Sequence, residues 1–317
     1  MKSLLAIPVL AMILALAQSA SGVASVASDA STATSAVAPS PTGSAGEAAP
    51  GRASEPPPGG ARRIVSLVPS VTETVFALGA GDRLVGISTF CDHPPEATKL
   101  PRIGTYNAPS IEAIVALEPD VVIGVPTPGN QASVEQLGSL GLEVVMVGEH
   151  TLADTWEAIR TVGRWTDTAP AAERLVAKLQ GELDDVRRRA AERPTRRVLF
   201  VVGHDPLVVA GGGLFIDELI EVAGGRNVGK ASGLPWPRLS LETVVAAAPE
   251  VIVDGAMGSE ANAALEAYWE AYRSVPAVRD GRVRPVHSWI LLRPGPRIAA
   301  AARELFSLVH EDAEPRP

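Results

Sequence analysis

Phe90, Tyr106, Trp236 and Trp289 stand in segments whose composition reads as loop rather than helix or strand. Aromatic side chains are only 4% of the chain, so four of them outside regular elements exceed what a core alone would ask for. Ring faces on loops suit a large, flat, partly apolar ligand gripped by contact area and a few polar groups. The alternative for each ring is a small apolar cluster beneath a long loop. Trp236 lies between two prolines in Leu234-Pro-Trp-Pro-Arg238, on a stiff backbone. Trp289 follows an expected strand and precedes the turn Arg293-Pro-Gly-Pro-Arg297. Trp156, Trp165 and Trp269 sit within helical patterns and are expected to pack.

Residues for covalent or metal chemistry are not gathered in this way. The sequence has no Gly-x-Ser-x-Gly elbow, no GxxxxGK[ST] phosphate loop and no His-Glu-x-x-His pair. The histidines His93, His150, His204, His287 and His310 are never at ligand spacing, so a metal site would have to be assembled from separate loops. Cys91-Asp92-His93 is the one local cluster of possible ligands, and it reads either as a metal corner or as a loop lining a cleft. Gly211-Gly212-Gly213 lacks a dinucleotide spacing and reads as a flexible turn or a close approach of two backbones. Cys91 is the single cysteine, which excludes an intramolecular disulfide. A formal net charge of −8 with no basic stripe excludes a nucleic-acid binder.

The elements that must position these residues alternate short aliphatic runs with helical patterns, an α/β signature. At the start, Met1-Lys2, the apolar run Leu4 to Ala17 and the small residues after it predict a secretory signal over 1–24. No cysteine follows the run to carry a lipid, so an exported, periplasmic, unanchored protein is expected. Residues 25–61 are almost all Ala, Ser, Thr, Pro and Gly and read as a disordered linker. Strands are expected at Ile64 to Val68, Leu84 to Ser88, Val121 to Val125 and Leu142 to Val147, with Ser70 or Thr72 capping the first helix. A charged helix follows over 167–194, capped by Asp167 or Thr168 ahead of Pro170, with Leu175, Leu179, Leu183 and Val186 as its apolar stripe. The pattern then restarts with a strand at Val198 to Val202, a helix from Leu214 to Ala223 and further elements to about 312.

The restart is also literal. Ser110 to Ile123 reads SIEAIVALEPDVVI, and 130 residues later Ser240 to Val253 reads SLETVVAAAPEVIV. Each copy reads as a Ser-capped helix feeding a core strand, with a glutamate in the first turn favoured by the helix dipole. The chain is therefore expected to form two Rossmann-like α/β lobes, 62–166 and 195–312, bridged by one long α-helix over 167–194, with the ligand cleft between lobes. A single-helix bridge implies small closure, since a continuous helix hinges poorly.

The runs IVSLVPSVTETVFALG (64–79), VGISTFCDHPPEA (85–97) and IEAIVALEPDVVI (111–123) resemble the periplasmic cobalamin-binding proteins, members of the helical-backbone class of substrate-binding proteins of ABC importers. LPWPRLSLE (234–242) and RPGPRI (293–298) are similar to that branch as well, and the resemblance spans about Arg62 to Val309. It implies a non-enzymatic, monomeric binding protein without a cofactor that carries a cobalamin-type corrinoid (vitamin B12) to permease subunits. Haem or a ferric siderophore is the alternative ligand, and a secreted α/β enzyme is the reading from another class. By the same resemblance Phe90, Tyr106, Trp236 and Trp289 face the ligand, and Arg293 or Arg297 meets its acidic or amide edge, although each arginine also reads as a helix cap or a solvated charge. Glu112 and Glu242 match the pair of lobe-surface glutamates that dock on permease arginines. One departure is Val125-Pro126-Thr127, where cobalamin binders can have a further tryptophan.

Overall fold

The computed structural model describes residues 55–256, 262–286 and 288–311. The signal expected over 1–24, most of the linker and His287 lie outside these residues. The first half runs β1 (Ile64–Ser66), α1 (Pro69–Ala77), β2 (Leu84–Ile87), α2 (Ile111–Ala116), β3 (Val121–Gly124), α3 (Gln131–Ser139), β4 (Val144–Met146) and α4 (Leu152–Trp165). Its four strands are parallel in the order β2-β1-β3-β4. The central strands β1 and β3 are buried along their whole length, as the unbroken aliphatic runs require when helices cover both faces of a parallel sheet.

Pro69 opens α1 two residues earlier than a Ser70 cap would, because proline suits the first helical position and fixes φ there. Val68 at the cap has no side-chain acceptor, which frees Ser70 and Thr72 for other partners. The bridging helix α5 (Ala169–Ala191) has 23 residues, about 34 Å at 1.5 Å per residue. Its buried seam is Ala172, Val176, Leu179, Leu183, Val186 and Ala190; Leu175, expected on the stripe, is only partly buried. Thr168 occupies the cap position, but its hydroxyl bonds the Thr166 hydroxyl at 2.7 Å rather than a helix amide. The helix packs on α4 of the first half and on α6 (Phe215–Val222) and α10 (Ile298–His310) of the second.

The second half contains β5 (Arg196–His204), β6 (Leu207–Val209), β7 (Gly225–Asn227), α7 (Leu241–Ala247), β8 (Val251–Asp254), α8 (Asn262–Glu270), α9 (Pro276–Arg279) and β9 (Val283–Pro285). Along β5, one edge carries β7 at its start and antiparallel β6 at its end, and the other edge carries β8 and then β9. Side chains alternate across β5: Val198, Phe200 and Val202 join the core that runs into the first half, whereas Leu199 and Val201 pack with Val244, Ile252 and Trp269.

The repeated units fold alike to the level of single bonds. Ser110 Oγ accepts from Ala113 N and Ser240 Oγ accepts from Thr243 N, both at 3.2 Å. Each helix ends in a left-handed residue before the proline, Glu118 at φ 42° and Ala248 at φ 46°. The acid after the proline then accepts from the start of the neighbouring strand. Asp120 Oδ2 takes the Arg62 and Arg63 amides at 2.7 and 2.9 Å, and Glu250 Oε2 takes the Arg197 amide at 2.9 Å. Arg63 and Arg197 return the contact, donating from Nε to the carbonyls of Glu118 at 3.0 Å and Ala248 at 2.8 Å.

Candidate functional site

A narrow cleft, open to solvent, lies where the two halves meet. The first half contributes Val68, Pro69 and Ser70 from the start of α1, Phe90 and Tyr106 from the long loop after β2, and Glu149 from the loop after β4. The second half contributes Trp289, Leu292, Arg293 and Pro294. All come from loops or helix starts beyond the carboxyl ends of strands, where open α/β sheets hold ligands.

Three of the four loop aromatics meet here. The Phe90 and Tyr106 rings are 5.4 Å apart and tilted by 56°. Tyr106 is nearly buried. Trp289 opens a short 3-10 turn, Trp289–Leu292, whose first free amide Ser288 caps by accepting from Ile290 N. Trp236 is partly buried against the core and is not among the cleft-lining residues. Its loop is pinned by Gly211, whose amide donates to Pro235 O at 2.7 Å and where a Cβ would lie 1.8 Å from Leu234 O. The glycine run is thus a close approach of two backbones.

The loop carrying Phe90 and Tyr106 is held from beneath. Arg102 Nη1 donates to the carbonyls of Ser88 at 2.9 Å and Cys91 at 2.8 Å. Buried Asn130 donates from Nδ2 to Tyr106 O at 3.1 Å and Val125 O at 2.9 Å, which ties the loop to the end of β3. Neither residue stood out in the sequence, since only the fold brings them beneath the aromatics. Asn130 also lines a separate shallow hollow with Pro126, Thr127, Val134 and Met146, at the Val125-Pro126-Thr127 stretch where the sequence departs from the family resemblance.

Cys91, Asp92 and His93 do not converge. Cys91 is buried, 3.1 Å from the Thr72 hydroxyl, with its thiol pushed up by burial. Asp92 turns to Arg293, and His93 is exposed. Burial alone would raise the Asp92 carboxyl, but the hydrogen bond and charge of Arg293 hold it below its usual range. Among the described residues no group of three or more His, Cys, Asp or Glu is placed to hold a metal. Arg297 is committed elsewhere: its guanidinium forms two bonds with buried Glu73 on α1, at 2.7 and 2.6 Å. That bond and the Arg293–Asp92 pair both join the two halves beside the cleft.

Glu149 is the cleft residue that sequence reasoning missed. Its carboxyl receives a 3.3 Å hydrogen bond from Ser70 Oγ. Burial pushes it up to about 7, and the Ser70 hydroxyl opposes that shift in part. Burial also raises the Tyr106 phenol, with the nearby Glu149 charge adding to it. Away from the cleft, Glu112 and Glu242 are exposed in the first turns of α2 and α7. Val115 and Val245, one turn further on, are 42% and 38% exposed. The Ser240 hydroxyl and its own amide hold the Glu242 carboxyl below its usual range.

With this geometry in hand, comparison with known proteins is decisive about class. Residues 64–288 match the family described as periplasmic binding protein. The chain belongs to that family. The vitamin B12-binding protein of Salmonella typhimurium is 32% identical over 251 residues, 79% of this chain and 91% of the relative. Among solved structures, the periplasmic vitamin B12 binding protein of Vibrio cholerae has a TM-score of 0.69 at 27% identity, covering 78% of this chain and 96% of that one. The periplasmic heme-binding protein from Roseiflexus sp. RS-1 has a TM-score of 0.71 at 30% identity, covering 80% and 100%. The fold is the two-lobed α/β architecture of substrate-binding proteins, and family members with either ligand share it.

Proposed function

We propose that this protein is an exported, non-enzymatic carrier that captures a cobalamin-type corrinoid in the inter-lobe cleft and hands it to an ABC importer. The observation that carries the reading is the convergence of Phe90, Tyr106 and Trp289 from two halves on one apolar cleft, in a chain whose curated relatives bind vitamin B12. Trp236 is assigned as a further aromatic contact from the 234–238 loop, and Arg293 as the contact to the ligand's polar edge. Glu112 and Glu242 are assigned to the permease subunits, one per lobe, with the protein acting as a monomer. The leader over 1–24, the linker over 25–61, the lobes 62–166 and 195–312 and the bridge 167–194 complete the organisation proposed.

Haem is the second reading, favoured by the likeness to heme-binding structures at similar TM-scores. Purified protein incubated separately with cyanocobalamin and with hemin, then desalted, separates the two by its absorbance spectrum. Co-elution of cyanocobalamin with quenching of tryptophan fluorescence is expected. Elution without either chromophore, with unchanged fluorescence, overturns the corrinoid reading.

A further inference from the structure

Glu149 is a carboxyl group in a cleft otherwise walled by Phe90, Tyr106, Trp289, Leu292 and prolines. Only one of its oxygens is used: Oε2 takes the Ser70 hydroxyl, and among the described residues Oε1 has neither a hydrogen bond nor a cation. Glu149 is half-buried, so its second oxygen stays open to a donor that enters the cleft. Across the cleft stands Arg293, a donor-only group whose side chain is 13% exposed and already bonds Asp92 through both Nη atoms, leaving its remaining N–H groups for a ligand. The two line the same cleft from opposite halves of the chain. The cleft therefore offers one donor edge and one acceptor edge.

We propose that Glu149 and Arg293 together read the border of the ligand and select neutral primary amides over carboxylates. This rests on the cleft being the ligand site. A primary amide satisfies both groups at once, its carbonyl accepting from Arg293 and its N–H donating to Glu149. A carboxylate satisfies Arg293 but repels an ionised Glu149, and it is accepted only when Glu149 carries a proton. Peripheral amides border a corrinoid, whereas propionates border haem, so the pair discriminates between the two ligand classes that the fold accommodates.

The other charged or titratable groups facing Glu149 are few. Tyr106 belongs to the loop after β2, and Arg293 stands with Asp92, Glu73 and Arg297 across the cleft. His150 follows Glu149 in the chain and is exposed. Glu218 on α6 is occupied by the amide of Leu152 at 2.5 Å.

The test compares cyanocobalamin, its monocarboxylate derivative (one amide hydrolysed) and hemin, each titrated against wild-type protein and Glu149→Gln by tryptophan quenching across about pH 5.5 to 8.5. With the carboxyl titrating near 7, the wild-type preference for the amide form is expected to grow with pH, approaching ~30-fold over that range. Glu149→Gln keeps the side-chain shape, cannot ionise and is expected to show a flat preference. Ser70→Ala removes a bond that favours the ionised carboxyl, so it shifts the change to higher pH and supplies a second readout. If cyanocobalamin binds but the preference ignores both pH and E149Q, the proposal is overturned while the corrinoid reading stands. If only hemin binds, the corrinoid reading falls, and the proposal stands provided that hemin affinity drops with rising pH and recovers in E149Q. If no ligand binds, both fall.

Discussion

Replacing Glu73 with Gln tests the ion pair that fastens the two halves together. Glu73 is 4% exposed on α1, and its two oxygens take Arg297 Nε at 2.7 Å and Nη2 at 2.6 Å, with Arg293 Nη1 a further 3.9 Å away. Removing one partner of a buried pair typically costs about 3–5 kcal/mol, because the remaining charge is stranded. Here the Arg297 side chain is 30% exposed and regains part of its hydration, which lowers the expected loss to about 2–3 kcal/mol. At about 2–4 °C per kcal/mol for a domain of this size, E73Q should melt some 5–10 °C below wild type. Circular dichroism melts of E73Q, R297M and the double variant measure this, and the double variant should be less destabilised than the sum of the two singles. An E73Q melting point within about 2 °C of wild type, or strictly additive losses, would refute the idea that this pair couples the halves.

Glu112→Ala combined with Glu242→Ala should leave ligand affinity within about twofold of wild type while abolishing uptake in a reconstituted transporter. Loss of ligand binding with intact docking contradicts the assignment. Trp289→Ala should weaken ligand binding by about 10- to 100-fold, given a large aromatic face removed from a buried contact, and fluorescence titration reports it directly. Glu149 also makes stability depend on pH. Its folded value near 7 lies above the ordinary 4.5, so the folded state holds its proton more tightly and stability falls as pH rises from about 4.5 to 7. The loss is on the order of 2–3 kcal/mol and should be absent from E149Q in denaturant titrations at about pH 5 and pH 8.

The central strands of both sheets were legible because buried parallel strands are continuous aliphatic runs, and β1, β3 and β8 are such runs. Strands β6 and β7 were not, being three residues each and paired with only part of β5. The stripe of α5 was legible in its middle but not at its start, where packing between two helices selects Val176 over Leu175. Loop aromatics were a usable signal for the cleft, since three of the four line it. Glu149 was not, because Gly148-Glu149-His150 looks like any polar turn and becomes notable only when the fold sets it in one cleft with Tyr106 and Trp289. A signal that was available and unread is an Arg-Arg pair in each half, at 62–63 just ahead of β1 and at 196–197 opening β5.

Those arginines sharpen the meaning of the repeat itself. In both copies the serine is spent on the helix cap, and the acid after proline on the start of the neighbouring strand. The strand aliphatics are buried. Each of these residues has an internal partner, so folding alone explains why it occurs twice. Helix-dipole stabilisation, worth about 0.3–1 kcal/mol, can account for Glu112 and Glu242 as well. It gives no reason for an exposed valine one turn later in both copies, Val115 and Val245. An acid with an apolar neighbour, presented once per lobe, fits the proposed docking on a pseudo-symmetric partner. The two exposed valines are the part of the repeat that neither a cap, a strand contact nor the helix dipole explains.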